Sequence, residues 1–213
     1  MTPEDYAKIF HEIKNYITCI SSSLQLIEKK HPEVTDYPYW KDTISDVWAL
    51  KKMVIEISSA RLCSQLNTEM VSLNSFFAEL KNSYTALCGS KDFLCSFKTE
   101  PDLPELPIDS DRLKRAIFNL IKNSYEAMDG TGEITVSARS EADFVCIDVI
   151  DSGGGISPDY LEKIFTPFST TKQNGTGLGL LITKQTVEAH GGHLTVDSRP
   201  HDGCTFSIYL PVQ

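Results

Sequence analysis

The sequence contains no long hydrophobic run and no excess of basic charge, and each absence excludes a class of function. A membrane-spanning helix needs about 20 apolar residues in succession, whereas runs here reach only four, as at Val47–Leu50 and Phe144–Ile147. The 20 basic and 29 acidic residues give a net charge of −9, and a nucleic-acid partner would instead require clustered Lys and Arg. Acidic and basic residues interrupt the start of the chain, unlike a signal peptide. We therefore expect a cytoplasmic protein without membrane insertion in this chain and without a nucleic-acid partner.

The six cysteines lack the spacing of a metal site or of a disulfide framework. None forms a Cys-x-x-Cys pair, and no group of Cys and His has zinc-finger spacing. Cys19 and Cys146 fall inside apolar stretches, where Cys acts as a small hydrophobe. The sequence therefore predicts reduced thiols, as in cytosolic proteins.

Residues 1–68 have the apolar spacing of two helices that pack side by side. Pro32 and Pro38 interrupt the spacing and indicate a connection between the helices. Neither helix can bury its apolar stripe alone, so we expect an antiparallel hairpin that forms a four-helix bundle in a homodimer. The two stripes are Tyr6, Phe10, Ile13, Ile17, Ile20, Leu24 and Ile27 in the first helix, and Trp40, Ile44, Val47, Leu50, Val54 and Ile57 in the second.

Residues 69–213 mix strand and helix patterns, which indicates a second domain built as an α/β sandwich. Asp111–Met128 is strongly helical, with Asp109 or Ser110 as its cap, and Glu100–Asp109, with three prolines, is interpreted as a connector. The predicted fold class is α+β: the helical hairpin followed by this sandwich. The other predicted elements are strands at Val71–Leu73, Phe93–Thr99, Ile134–Ser140, Phe144–Asp151, His193–Ser198 and Cys204–Leu210, and helices at Ser75–Leu87, Pro158–Ile164 and Leu178–Ala189.

Five short motifs contain residue types that suit nucleotide chemistry. Two Asn four residues apart share a helix face and can ligate Mg²⁺, and an Asp at a strand end can accept a hydrogen bond from an amino group. Glycines at the start of a helix expose N–H groups that bind phosphate. Taken singly, each motif also fits a surface, turn, core or capping role. The motifs are His11–Asn15, Asn119–Asn123, Asp151–Ile156, Phe165–Phe168 and Gly175–Leu180.

Together and in this order, the five motifs resemble those of the sensor histidine kinases of two-component systems, over nearly the whole chain. The resemblance implies a dimerisation and histidine-phosphotransfer domain at 1–68 and a catalytic ATP-binding domain at 69–213. It implies that His11 is the phosphoacceptor, that Glu12 is its general base, and that Asn15 serves dephosphorylation of a partner. In gyrase-like ATPases of the wider family, a Glu that activates water stands at the position of Asn119.

The resemblance also implies the ligands of the catalytic domain, which are ATP and Mg²⁺. Asn123, helped by Asn119, would hold the metal. Asp151 would bind the adenine amino group. The remaining residues that the resemblance places at the nucleotide are Gly153 and Gly155 in the first glycine turn, Lys172 in a lid, Gly175, Thr176, Gly177, Leu178 and Gly179 at the phosphates, and Thr205 at adenine.

The implied partners are the receiver domain of a response regulator and a second copy of the chain. Because the chain begins only ten residues before His11, we expect its sensor to be a missing domain or a separate protein. An alternative function stays open, in which the protein is a nucleotide-sensing scaffold or phosphatase that binds a response regulator without productive autophosphorylation. Two features keep this alternative: Glu126, in place of the basic residue of many relatives, and the expected lack of a sensor in this chain.

Overall fold

The computed structural model describes residues 3–62, 66–88, 93–128, 131–166, 169–170 and 177–212, with the backbone alone described at residues 3–8, 10–11, 55–62, 85–88 and 93–94. The predicted α+β class is confirmed. The described elements comprise two long helices at the amino-terminal end, followed by a domain that contains a mixed five-stranded sheet.

Two helices that pack against each other form the amino-terminal region. Helix α1 spans Pro3–Lys30 and helix α2 spans Trp40–Leu62, with a short 3₁₀ helix at Pro32–Asp36 between them. Ile17 and Val54 are buried. Part of the apolar stripe nevertheless faces outward in the single chain, because Ile20, Ile27 and Leu50 are 48%, 40% and 48% exposed.

Within the described residues, five strands form the main sheet in the order β2-β4-β5-β7-β6, and of their pairs only β2 with β4 is parallel. Side chains alternate between the two faces along each strand. On β7 the alternation is regular, with every second residue buried from Cys204 to Leu210. The strands are β2 (Phe93–Thr99), β4 (Gly132–Glu141), β5 (Phe144–Asp151), β6 (His193–Ser198) and β7 (Cys204–Pro211).

Helices supply the other layer and close the core against one face of this sheet. Helix α4 places an apolar stripe over the sheet, in which Leu113, Ile117 and Leu120 are each 0% exposed. The core also includes Leu80 of α3 and Val187 of α6. The helices of this domain are α3 (Leu73–Cys88), α4 (Ser110–Ala127), α5 (Pro158–Leu161) and α6 (Gly179–Ala189).

The segment predicted as a connector contains a strand, which corrects the sequence-based interpretation. Strand β3 (Glu105–Ile108) pairs antiparallel with β1 (Glu69–Ser72) in a separate two-stranded sheet. Leu106 and Ile108 are 1% and 2% exposed. Their burial at alternate positions stabilises a strand in a segment where the prolines had predicted an irregular connection. Proline is tolerated here because a two-stranded sheet consists of edge strands only.

Candidate nucleotide site

Asp151 lies at the end of β5, and its carboxylate is held by donors from two different elements. The Ser124 hydroxyl on α4 donates to Oδ2 at 2.8 Å, and the Gly153 backbone N–H donates to Oδ1 at 3.0 Å. Asp151 is only 7% exposed. A carboxylate oxygen has two lone pairs, so the fixed carboxylate keeps capacity to accept a hydrogen bond from a ligand that enters beside the loop.

The loop after Asp151 is tied to the turn between β6 and β7. Gly203 N–H donates to the Gly153 carbonyl at 2.9 Å, and His201 N–H donates to the Gly154 carbonyl at 2.7 Å. Gly155 has φ +69°, and a Cβ there would overlap the Arg199 carbonyl oxygen. Only glycine combines this backbone conformation with such a close approach. The glycines therefore fix the loop against the neighbouring hairpin.

Helix α4 carries the predicted Asn pair, and the structure distinguishes the two residues. Asn119 donates from Nδ2 to Thr183 Oγ1 at 3.0 Å, and a Cβ on Gly179 would overlap its Oδ1. Asn119 thus sets the close spacing of α4 and α6. Asn123 is partly exposed, and among the described residues its carboxamide has no hydrogen-bond partner. Its oxygen is available to a cation.

The second glycine motif is described from residue 177 onward. Gly177 has φ +65°, Leu178 is the N-cap residue, and α6 begins at Gly179 beside Asn119. The first N–H groups of a helix have no partner within the helix, so this end of α6 suits a phosphate group. Lys172, Gly175 and Thr176 lie outside the described residues, as does Phe168 of the preceding aromatic motif.

Thr205 and Cys204 occupy opposite faces of β7. Cys204 pairs with Asp151, whereas Thr205 pairs with Ile150 and Asp197. Because neighbouring side chains alternate, Cys204 lies on the face that carries Asp151 and Thr205 lies on the other face. Cys204 is 5% exposed. Burial raises the pKa of its thiol to about 12, and the nearby Asp151 charge adds to the shift. Cys204 is the β7 residue beside the Asp151 carboxylate, whereas the family resemblance had placed Thr205 at adenine.

The predicted phosphotransfer residues lie on α1, away from these elements in the sequence. The structure describes the backbone of His11 in the middle of a continuous helix, and its side chain is outside the described set. Glu12 and Asn15 are exposed on the same helix. The side chains of Glu12 and Asn15 are therefore accessible from solvent.

Ser124 is a further residue that the motif-based reasoning missed. It is 2% exposed and continues the buried stripe of α4 after Leu120. A buried hydroxyl must find a hydrogen-bond partner. A serine at a stripe position, directly after Asn123, was therefore the sequence signal that could have found it.

The described ranges contain neither a cluster of metal-ligating side chains nor a helix that could span a membrane. No three His, Cys, Asp or Glu side chains converge there on a point that would hold a metal ion. No helix there is both long and apolar enough to cross a bilayer.

The fold and this site define a class: an ATPase-like domain joined to a helical pair. Residues 108–213 match the family model described as histidine kinase-, DNA gyrase B- and HSP90-like ATPase. Among curated proteins, the chain is 35% identical over 212 residues to the sensor histidine kinase ZraS of Salmonella typhimurium, and 32% identical over 211 residues to sporulation kinase D of Bacillus subtilis. The chain belongs to the sensor histidine kinase family.

The alignments cover nearly all of this chain but only part of each relative. They span 97% of the chain in both cases, but 45% of ZraS and 41% of sporulation kinase D. The chain thus spans less than half the length of these curated relatives.

Solved structures show the same architecture. The crystal structure of full-length ShkA in complex with AMPPNP superposes with a TM-score of 0.78 at 21% identity, and the match covers 99% of this chain and 46% of that one. The catalytic domain of histidine kinase ThkA gives a TM-score of 0.61 at 29% identity over 68% of this chain and 96% of that one. The first likeness concerns the fold alone.

Proposed function

We propose that this chain is the ATP-dependent kinase core of a two-component system, which phosphorylates its own His11 and passes the phosphoryl group to an Asp of a response regulator. The observation that carries the proposal is the buried Asp151 carboxylate, oriented by two donors beside a constrained glycine loop. Its remaining lone pairs suit the exocyclic amino group of adenine. The relatives of the chain are sensor histidine kinases, and a solved structure of similar fold contains the ATP analogue AMPPNP.

The residues around the site fit the other parts of a nucleotide. The start of α6, with Gly177, Leu178 and Gly179, offers free N–H groups to the phosphates. Gly175, Thr176 and Lys172 complete this phosphate site in the proposal. Asn123 would hold Mg²⁺ through its carboxamide oxygen, and Asn119 positions α4 against α6. When bound, the cation neutralises phosphate charge.

Phosphoryl transfer to His11 proceeds as an in-line displacement. A lone pair of a neutral imidazole nitrogen forms the bond to the γ-phosphorus, while the bond from that phosphorus to the bridging oxygen breaks and ADP leaves. Glu12, adjacent on α1, accepts the proton that the ring loses. Phosphoryl transfer requires little covalent chemistry from the protein, so positioning and charge neutralisation carry most of the catalysis.

The exposed surface of the helical pair supports a homodimer. Ile20, Ile27 and Leu50 leave an apolar stripe uncovered in one chain, and a second copy would cover it in a four-helix bundle. The receiver domain of a response regulator docks on the same helices to reach phosphorylated His11, and Asn15 assists the reverse dephosphorylation. A sensor, on the same polypeptide or on another one, supplies the input. We place the reaction in the cytoplasm.

The direct test is phosphorylation with γ-labelled ATP and Mg²⁺. We expect acid-labile, base-stable label in the wild type and loss of at least about 95% of it in His11→Gln, because the acceptor nitrogen is gone. His31→Gln is the matched control, since His31 is exposed in the connection between α1 and α2 and should leave the label unchanged. Undiminished label in His11→Gln would refute the assignment.

The scaffold or phosphatase function remains the second candidate because of one carboxylate. Glu126 lies on α4 one turn after Lys122, and the two side chains approach to 3.6 Å. Glu126 stands where many relatives have a basic residue, so one contact to the phosphates would be missing from this site. In this case the wild type would bind ATP but acquire no label, and it would still remove phosphate from a phosphorylated regulator through Asn15.

A further inference from the structure

Ser124 has a buried hydroxyl that donates a hydrogen bond to the Asp151 carboxylate at the centre of the proposed nucleotide site. The residue is 2% exposed, and its Oγ donates to Asp151 Oδ2 at 2.8 Å. Hydrogen bonds to a charged acceptor are about twice as strong as neutral ones. The contact also links α4, which carries Asn123, to the end of β5. A serine serves no apolar packing purpose at this stripe position, so its hydroxyl needs an explanation beyond the core.

The second oxygen of the same carboxylate is fixed from the other side. Oδ1 accepts the backbone N–H of Gly153 at 3.0 Å. One donor from the helix and one from the loop prevent the carboxylate plane from rotating. Free acceptor lone pairs therefore point in a defined direction before any ligand arrives, which lowers the entropy cost of binding.

We propose that Ser124 is a positioning residue for nucleobase recognition: its hydroxyl orients Asp151 toward the amino group of adenine. The inference rests on the proposed function, because it assumes that a nucleotide occupies this site. An ionised carboxylate only accepts hydrogen bonds, so it favours a base with a donor at the six-position. It disfavours a base with a carbonyl or a bare C–H at that position. Losing the hydroxyl frees the carboxylate to rotate and weakens this discrimination.

The test is a cycle that compares two nucleotides with two proteins. Dissociation constants are measured by calorimetry, with Mg²⁺, for ATP and for purine riboside triphosphate, which lacks the six-amino group. The wild type should bind ATP about tenfold more tightly, since a tenfold ratio corresponds to about 1.4 kcal/mol. In Ser124→Ala, ATP should weaken about fivefold while the analogue changes less than about twofold, so the ratio contracts toward one.

A matched control removes a hydroxyl hydrogen bond elsewhere in the sheet. Ser96→Ala breaks the Ser96–Thr135 hydroxyl pair of 3.0 Å between β2 and β4, on the face away from Asp151. It should leave both dissociation constants within about twofold of the wild type. If Ser124→Ala fails to fold, Ser124→Cys keeps the size with a weaker donor and should give an intermediate ratio.

The outcomes separate the two proposals. Equal weakening of both nucleotides in Ser124→Ala, or an unchanged ratio in Ser124→Cys where the alanine variant does not fold, would overturn the positioning role while leaving the kinase proposal intact. A wild type that binds neither nucleotide would instead overturn the proposed function itself.

Discussion

At the scale of single residues, the site depends on which face of a strand each side chain occupies. Asp151 and Cys204 are paired across β5 and β7, whereas Thr205 is turned to the opposite face with Ile150. A difference of one position in the sequence therefore moves a side chain from the site to the other side of the sheet. The β7 neighbour of the Asp151 carboxylate is therefore the thiol of Cys204 and not the hydroxyl of Thr205.

This placement predicts that leucine substitutions at two adjacent positions have different effects on the affinity for ATP. Cys204→Leu adds bulk on the face of Asp151 and should weaken ATP binding about tenfold. Thr205→Leu adds the same side chain on the far face and should change the dissociation constant less than about twofold. Calorimetric titration with ATP measures both, and thermal melting checks that each variant is folded. Strong weakening by Thr205→Leu with none by Cys204→Leu would contradict the assigned register.

At the scale of elements, the glycine turns act by allowing close packing between backbone segments. The loop after β5 contacts the turn between β6 and β7 through Gly153, Gly154 and Gly203. Gly179 does the same for α6, since its missing Cβ makes room for Asn119. These elements bring the loop, α4 and α6 together at one end of the domain, where no single element could form a site.

Two neighbouring glycines of the loop should respond very differently to Ala. Gly155→Ala introduces strain at φ +69° and a clash with the Arg199 carbonyl, so we expect a loss of about 2–4 kcal/mol in the free energy of unfolding. A Cβ on Gly154 meets nothing within 4 Å, and Gly154→Ala should stay within about 0.5 kcal/mol. Urea unfolding of both variants is the measurement. Equal destabilisation would show that the loop does not have this conformation.

At the scale of the whole molecule, a chain of hydrogen bonds joins the segment after α2 to both helices of the site. Asn67 N–H donates to Asp109 Oδ2 at 3.1 Å, and Asp109 N–H donates to His190 Nε2 at 3.0 Å. His190 Nδ1 lies 2.7 Å from the Thr186 carbonyl, which can only accept, so Nδ1 carries the proton and the ring is neutral. Asp109 caps α4 through the Arg112 N–H, and His190 ends α6.

The neutral ring predicts how stability depends on pH. Burial lowers the pKa of His190 below its ordinary 6.5, although the Thr186 carbonyl and the Asp109 charge oppose the shift and the Arg112 charge adds to it. Below about pH 6.5 the unfolded chain therefore binds a proton that the folded chain does not, so this contribution to stability is lost as the pH falls toward the folded pKa.

The pH effect can be assigned to His190 by substitution. Urea unfolding of the wild type between pH 7.5 and 5 should show decreasing stability, and His190→Gln should flatten part of that slope because Gln does not titrate. It should also cost about 1 kcal/mol at pH 7.5, since a buried hydrogen bond is lost. An unchanged slope in His190→Gln would contradict the role of this ring.

The sequence alone determined most of the elements and the order of the motifs. Hydrophobic spacing is a local property, so the two amino-terminal helices and the strands Phe93–Thr99 and Phe144–Asp151 were predicted close to their observed bounds. Turn glycines and the Asp109 cap are local signals as well. The strand Glu105–Ile108 was missed, because its support comes from pairing with a segment about 36 residues earlier.

Tertiary structure alone decided which residues meet. The contact of Ser124 with Asp151 joins positions 27 residues apart, and the Asn119–Thr183 contact joins positions 64 apart. The choice of Cys204 over Thr205 depends on strand register, and the chain of bonds from Asn67 to His190 depends on the packing of α4 against α6. The hydrophobic effect drives burial but is non-directional, so apolar spacing in the sequence does not specify which polar groups meet. The motifs identify the candidate groups. Only the packing of helices and strands determines which of them come within hydrogen-bond distance.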